Sequence, residues 1–600
     1  MKDFMVDTAL DVHQFHIPVM GTGFTIDTPL HVARYGISSV VSLVDDILIE
    51  EIHAYYAKQY GVSFEAVPRD HVDARALRIR AYLDFMADMV DAQFRLLQQS
   101  PFEAGSEITR YFSLLPDGVL RSAYERMLAC EDPSEKAAAA SRLREMIKPG
   151  AIDVNIMTKL DRIPLDKDGQ PLDAQHSDAI SALRGFAESK VKGGVVFSAG
   201  LNAPLYTAVS QYADFLPTVD GASCKSVILK VSDYRSAAIQ GRFFAKRGIW
   251  VSEFRIESGL HCGGHAFATQ GYLLGPILAE FQEHRVALQQ QLHRDYSKAL
   301  VSRGLVVPAE PRRMAVTAQG GIATHAEHRA LMLQYGMDRT GWGTPFLLVP
   351  EATSLDAHDL QLLIDSKDGD IALSDSSPLG VPFWTLKTST SEVAKEKRIA
   401  EGHPGSACPK GFLAFVNDMT DVPLCRASRK YQILKLASLA ADDSLDPAAK
   451  ALLQSQLLAK ACICHELGGG VLLKYGLRQA VHSAICPSLS ILHFKAAHTL
   501  EEMVGHIYGR WSLLRDQLRP HMFIRELSIY IDYLMRELDC FSKIGGPRKL
   551  SYYAEFKQHL LDGIAYYQQT FHDYVGEQRE RFSEELSHLR DKLENFAIEV

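Results

Sequence analysis

The hydrophobic and polar positions of this chain fall into three regimes. The first opens on His16-Ile-Pro-Val-Met-Gly-Thr-Gly23, a short apolar run that ends in glycines. Such a run predicts a buried strand followed by a tight turn. Pro29 to Tyr35 follows as the first turns of a helix and Ile37 to Leu43 as a second short strand, a β–α–β start. From about Asp70 to Lys148 the period changes: Leu83, Met86, Val90, Phe94 and Leu97 recur at helical spacing, and Ser134-Glu-Lys-Ala-Ala-Ala-Ala-Ser141 continues as helix. This stretch is expected to be a helical insertion. The β/α rhythm resumes at Ala151, with strands predicted at Ile152–Met157, Gly194–Ser198, Val227–Val231, Ile249–Phe254 and Met314–Ala318. Helices are predicted between them, for example at Asp233–Arg247 and His325–Tyr335. Strands alternating with helices point to a parallel sheet with helices outside it, either open or closed into a barrel.

The rhythm is lost after about Ser366. Pro378, Gly380, Pro382, His403-Pro404-Gly405 and Pro409 mark an irregular segment, and helical patterns dominate from about Tyr431. Near the end, Phe582, Leu586, Leu589, Leu593 and Phe596 form a heptad-like stripe. It fits a bundle helix packed on its own domain or a helix through which the chain forms a homodimer. The domain boundary is expected near residue 370, with residues 371–600 mainly helical.

Composition narrows the class. At 600 residues the chain exceeds one hydrophobic core, and 47% hydrophobic with 23% charged residues is ordinary for a globular protein. A formal charge of −9 argues against a general nucleic-acid binder. Asp3, Asp7 and Asp11 and the lack of an apolar core near the N-terminus argue against a secretory signal. No apolar run approaches the roughly 20 residues of a membrane helix. A cytoplasmic location is the default expectation.

The most informative segment for chemistry is Met314-Ala-Val-Thr-Ala-Gln-Gly-Gly-Ile-Ala-Thr324, a strand ending in two glycines that open a helix. Glycines let the backbone approach an anion, and a helix N-terminus offers free N–H groups. Trp342-Gly-Thr-Pro-Phe-Leu-Leu-Val-Pro-Glu-Ala352 repeats the theme with Gly343 and Thr344. Two consecutive loops of this kind build the usual phosphate site of a barrel, after strands 7 and 8. Glu257-Ser-Gly-Leu-His-Cys-Gly-Gly-His265 follows a predicted strand and places His261, Cys262 and His265 among flexible glycines, where histidine can exchange protons. Metal binding by these three is conceivable, although the spacing is not a zinc pattern.

These segments carry a family resemblance. Ala318-Gln-Gly-Gly-Ile322 and Gly343-Thr344-Pro-Phe-Leu-Leu-Val-Pro-Glu351 resemble the FMN-phosphate loops of the nitronate monooxygenase (2-nitropropane dioxygenase) family. Flavin-dependent enoyl-acyl-carrier-protein reductases are close relatives of that family. Gly263-Gly-His265 resembles its glycine-glycine-histidine motif, Ile17-Pro-Val-Met-Gly21 its first strand, and Val154-Asn155 the strand whose asparagine lies near the flavin ring. The resemblance covers about Phe15 to Leu355 and implies an FMN-binding (β/α)₈ TIM barrel. Met20, Gly21, Thr22 and Asn155 would face the ring, Gly320, Gly321, Gly343 and Thr344 would hold the phosphate, and His265 would be the acid/base. The implied activity is flavin-dependent oxidoreduction of a small organic substrate. NAD(P)H-dependent enoyl-thioester reduction and a non-catalytic redox sensor with a helical partner-binding domain are the alternatives. The sequence departs from the family at His261 and Cys262, where an acidic residue and alanine are usual, and in the polar last strand Met337–Trp342. The insertion and the C-terminal region are also foreign to it.

Five of the nine cysteines, Cys408, Cys425, Cys462, Cys464 and Cys486, crowd into the irregular-to-helical region. Cys408 and Cys486 each precede proline, and His465-Glu-Leu-Gly-Gly-Gly470 follows Cys464. Four thiolates brought together would bind a [4Fe–4S] cluster, zinc would accept the same ligands, and ordinary buried cysteines account for the pattern equally.

Overall fold

The computed structural model describes residues 12–198, 200–218, 223–407, 410–515, 519–570 and 579–598. Eight strands, β1 (Phe15–Ile17), β2 (Ser38–Ser42), β3 (Ile152–Met157), β4 (Gly194–Ser198), β5 (Ser226–Val231), β6 (Val251–Glu257), β7 (Ala315–Gln319) and β8 (Arg339–Gly341), close into a barrel in chain order. Neighbouring strands are parallel, and β8 returns to β1 through Phe15↔Thr340 and His16↔Gly341. The barrel resolves the choice left open by the periodicity.

Side chains alternate across each strand. One set, including Val154, Ile156, Val195, Phe197, Leu229, Phe254 and Ile256, joins the main core under the surrounding helices. The alternate set faces the axis. There Val40, Val196 and Ile228 form a small separate apolar cluster with Val19. The rest of that interior is charged. Arg255 of β6 donates to Asp153 of β3 at 2.7 Å and to Glu253 at 2.8 Å. Arg339 of β8 donates to Glu253 at 2.5 Å, as does the Thr317 hydroxyl at 2.7 Å. Barrel interiors are normally filled by bulky aliphatic residues, so this network is a distinctive part of the sequence.

Between β2 and β3 the chain makes helices Asp46–Tyr60, Ala74–Gln99, Glu107–Leu114, Val119–Ala129 and Pro133–Met146. The Ala74–Gln99 helix buries Leu83, Met86, Val90, Phe94 and Leu97 on one face. It packs against helix Asp178–Ala187 at Gly185, where an added Cβ would lie 2.7 Å from the Ala76 carbonyl.

The segment after residue 370 contains a strand pair absent from the sequence reading, β9 (Ile371–Ser374) antiparallel to β10 (Phe383–Leu386). Helices then dominate. The last three, Met522–Ile544, Leu550–Thr570 and Arg579–Glu594, pack on one another. Phe582, Leu586, Leu589 and Leu593 are buried in that bundle, while Phe596 lies beyond the helix, partly buried. The stripe is therefore spent inside the chain. One hydrophobic core runs from Phe15 to Leu593. The two ends of the chain are also tied by hydrogen bonds, His13 to the Tyr508 hydroxyl at 2.8 Å and the Tyr475 hydroxyl to Asp27 at 2.5 Å. Among the described residues no helix is long and apolar enough to cross a membrane.

Two outcomes follow. Arg255→Met leaves Asp153 buried without a cation, while Glu253 keeps Arg339, and urea denaturation should show a loss of about 3–5 kcal/mol. Burial lowers the pKa of His13 to about 4 and of His261 and His328 to about 3, whereas unfolded histidine titrates near about 6.5. Between those values the unfolded chain binds more protons, so stability rises with pH. Thermal unfolding should be level above pH about 7 and fall steeply from about 6.5 towards 4.

Candidate active site

The C-terminal ends of all eight strands open into two contiguous cavities, a large one of about 330 Å³ and a small one of about 80 Å³. Val19, Gly21, Glu257, Gly263, Gly264 and Cys486 line both.

The small cavity is built by the loops after β7 and β8. Gly320 and Gly321 take φ of 118° and 73°, a region open to glycine. A Cβ on Gly321 would also lie 2.1 Å from His261 Nδ1. Helix His325–Leu333 then starts with a capping box, in which Glu327 accepts from the amides of Ala323 and Thr324. Arg519 holds the same carboxylate at 2.6 Å. The amides of Ala323, Thr324 and Glu327 are thus taken up within the chain. The amides left for an anion lie earlier, in the glycine turn. Among the described residues, no acceptor faces the amides of Gly321, Ile322 or Gly343. Met20, Gly320 and Thr344 complete this wall, together with Ser488 and Ser490 from the C-terminal region. The Ser488 amide donates to the Thr344 hydroxyl at 3.1 Å.

His261 and Cys262 line the small cavity and not the large one. Burial, then Arg519 and Arg525, hold His261 neutral, and burial with Glu257 nearby pushes the Cys262 thiol well above its usual range. Cys262 Sγ contacts the Gln319 carbonyl at 3.7 Å. Neither side chain is a charged donor or a thiolate.

The large cavity is floored by side chains at the strand ends. Lys230 of β5 pairs with Glu257 of β6 at 2.8 Å, and Gln319 of β7, which lines the small cavity, donates to Glu257 at 3.1 Å. Asn155 and Thr22 line it with Asn155 Oδ1 and Thr22 Oγ1 buried and without a hydrogen-bond partner. Buried polar atoms are rarely left so, and these two are free to meet a ligand. His265 stands at the edge. Its Nε2 lies 2.8 Å from Ser377 Oγ and its ring meets Phe383 edge-on at 4.8 Å. The loop is fixed because Trp384 donates to the Gly264 carbonyl and Ala266 to the Pro382 carbonyl, both at 2.9 Å. Underneath, Ser258 donates to the buried Glu526 at 2.5 Å. Burial, Lys230 and Lys159 lower the pKa of His265 to about 3, so the ring is neutral at physiological pH. The roof consists of Leu413, Ile463, Cys464, Leu467 and Phe383.

Every proposed ring-facing and phosphate-facing residue thus borders one of the two cavities. Sequence reasoning missed Lys230, Glu257, Gln319, Ser377, Ser488, Ser490 and Glu526. The first three were within reach, since they continue the axis-facing alternation of β5, β6 and β7 to the strand ends.

The metal expectations fare differently. Among the described residues, no three of His261, Cys262, His265, Cys425, Cys462, Cys464 and Cys486 bring ligand atoms within 4.8 Å of one another. Cys425 and Cys464 pack in an apolar cluster with Phe412, Leu413 and Ala427. Cys462 is buried at the start of helix Ile463–Glu466, and burial pushes the Cys486 thiol up to about 12. Cys408 lies outside the described residues. Among the described residues these cysteines are not gathered into a common ligand set, and the cluster expectation also rests on Cys408.

No protein-family model matches the chain, and comparison with curated proteins finds no match. Among solved structures, the chain is similar to the enoyl reductase domain of MlnA from the macrolactin biosynthesis cluster of Bacillus amyloliquefaciens, at 15% identity over 68% of this chain and 89% of that one, TM-score 0.32. It is similar to FabK from Thermotoga maritima at 14% over 70% and 91%, TM-score 0.27. A nitroalkane oxidase from Streptomyces ansochromogenes matches at 12% over 63% and 85%, TM-score 0.29. Likeness this distant carries no conclusion about activity.

Gly343 offers a clean probe of the small cavity, because an added Cβ would meet only Pro18 at 3.2 Å and Met20 at 3.6 Å or beyond. Gly343→Ala should keep unfolding stability within about 1 kcal/mol and weaken binding of a phosphate monoester roughly tenfold, about 1.4 kcal/mol by titration calorimetry. Unchanged binding would remove the anion site.

Proposed function

We propose that the chain is an FMN-dependent oxidoreductase acting on a small organic substrate. The observation that carries this is a pair of cavities sharing walls, with free amides at Gly321, Ile322 and Gly343 in the small one and the unpartnered Asn155 Oδ1 and Thr22 Oγ1 in the large one. A phosphate on a long polar tether ending in a flat heterocycle satisfies both. Gly320, Gly321, Gly343 and Thr344, with Ser488 and Ser490, would hold the phosphate. Met20, Gly21, Thr22 and Asn155 would hold the ring. When bound, the flavin exchanges a hydride or single electrons with a substrate carbon.

The chain's own residues do the rest. Lys230, held by Glu257, places a positive charge beside the ring site. Leu413, Ile463 and Leu467 exclude water above it. His265, neutral and oriented by Ser377 and Phe383, accepts a proton from an acidic C–H bond. This favours carbon acids of the nitroalkane kind. A second reading, reduction of an enoyl thioester with NAD(P)H, is favoured by the extent of the large cavity. It continues past His265 to Ser232, Ser236 and Gln240, beyond what a small nitro compound would fill. No metal cluster enters either reading.

The test is reconstitution with FMN, followed by anaerobic spectra and turnover with a neutral nitropropane plus oxygen and, separately, a crotonyl thioester plus NADH. Bound flavin with turnover of either substrate supports the proposal and selects the reading. Reversible flavin reduction with neither turnover would make the protein a redox sensor. His265→Gln should retain flavin and lose about 10²–10⁴ in kcat; full turnover in that variant would exclude the acid/base role.

A further inference from the structure

Away from both cavities, the structure gathers buried oxygen atoms that have no partner. Asp356 is the N-cap of helix Ala357–Asp365, and its Oδ1 accepts from the amides of His358 and Asp359 at 2.8 and 3.3 Å. Its other oxygen, Oδ2, is buried and accepts nothing. Asp359, one turn into the helix, has a fully buried side chain, and neither of its carboxylate oxygens makes a well-formed hydrogen bond. The groups acting on it are the Asp356 carboxyl and the Ser483 hydroxyl, and Ser483 Oγ is itself buried without a hydrogen bond. The backbone closes in at Gly470, where an added Cβ would lie 3.2 Å from Asp359 Oδ2, 3.4 Å from Ser483 Oγ and 3.6 Å from the Ser354 carbonyl. His358 reaches the same point from solvent, with Nδ1 3.9 Å from Asp359 Oδ1.

We propose that Asp356, His358 and Asp359, with Ser483 behind them, form a divalent-cation site. Ligand atoms of the first three lie within 4.8 Å of one another, and this is the one such trio of acidic, histidine or cysteine residues among those described. Among the described residues no lysine or arginine pairs with Asp359. A buried carboxylate without a cation or donors is costly, and a cation removes that cost directly. Two carboxylates, a hydroxyl and one imidazole suit Mn²⁺ and its oxygen-seeking neighbours more than a thiolate metal. The site joins the loop after the barrel's last strand to the Gly470 and Ser483 segments that roof the cavities, so its occupant staples the roof to the barrel. It is independent of the flavin.

The probe is Mn²⁺, followed by loss of its free-ion EPR signal and by thermal unfolding of the full chain. Wild type should bind one Mn²⁺ per chain and unfold at higher temperature with it. Asp359→Asn removes a buried charge, so it should fold without metal and lose the Mn²⁺-dependent shift. The exposed His358→Ala leaves the core untouched and should weaken Mn²⁺ by about tenfold or more. No Mn²⁺ bound by wild type, with the two carboxyls sharing a proton instead, would overturn the proposal. So would equal binding by wild type and both variants, which would place the ion elsewhere.

Discussion

Arg255 is the pivot of this structure. Its guanidinium lies inside the barrel, bonded to Asp153 on β3 and Glu253 on its own strand, while Arg339 on β8 secures Glu253 from the other side. A barrel filled with aliphatic side chains is held in register by burial and shape alone. One whose interior holds two guanidinium groups and two carboxylates has a single arrangement in which every charge is paired. The next axis-facing layer rises from the same strands: Asn155 above Asp153, Glu257 above Arg255 and Gln319 above Thr317. The positions that pair charges in the floor thereby fix where Glu257, Lys230 and Gln319 stand around the cavity.

The remaining walls come from far along the chain. Ser488 and Ser490 finish the small cavity, and Leu413, Ile463 and Leu467 roof the large one. Glu526 holds the Ser258–His265 loop from beneath. Burial pushes that carboxyl up to about 7, which marks how dry the space under the loop is. The barrel presents polar side chains at its strand ends, the β9–β10 segment orients His265, and later segments cover the large cavity.

Much of this was legible in the chain. Ile152–Met157 and Gly194–Ser198 could be bounded to the residue because apolar runs end there in turn-forming neighbours. β6 lies at Val251–Glu257, two to three residues later than its apolar run suggests, because its axis-facing positions are Glu253, Arg255 and Glu257 and hydrophobicity does not register them. β9 and β10 are four residues each and surrounded by serine, aspartate and proline, so no period develops. The paired glycine loops showed in the sequence because glycine is required there by φ and by close approach to His261. The capping by Glu327 and the contributions of Ser488 and Glu526 depend on contacts across the fold, which local pattern does not encode.

The closing of β1 on β8 and the roofing by residues beyond 460 also impose an order on biosynthesis. β1 leaves the ribosome long before Thr340 and Gly341 exist to pair with it, and His13 waits for Tyr508. During that interval Phe15 and Ile17 have no partner on one edge, the condition in which nascent strands pair wrongly or attract chaperones. The insertion between β2 and β3 gives the emerging chain a helical unit rich in local contacts, which can condense early and shelter the first two strands. The small cavity, in contrast, is complete only once Ser488 and Ser490 are made.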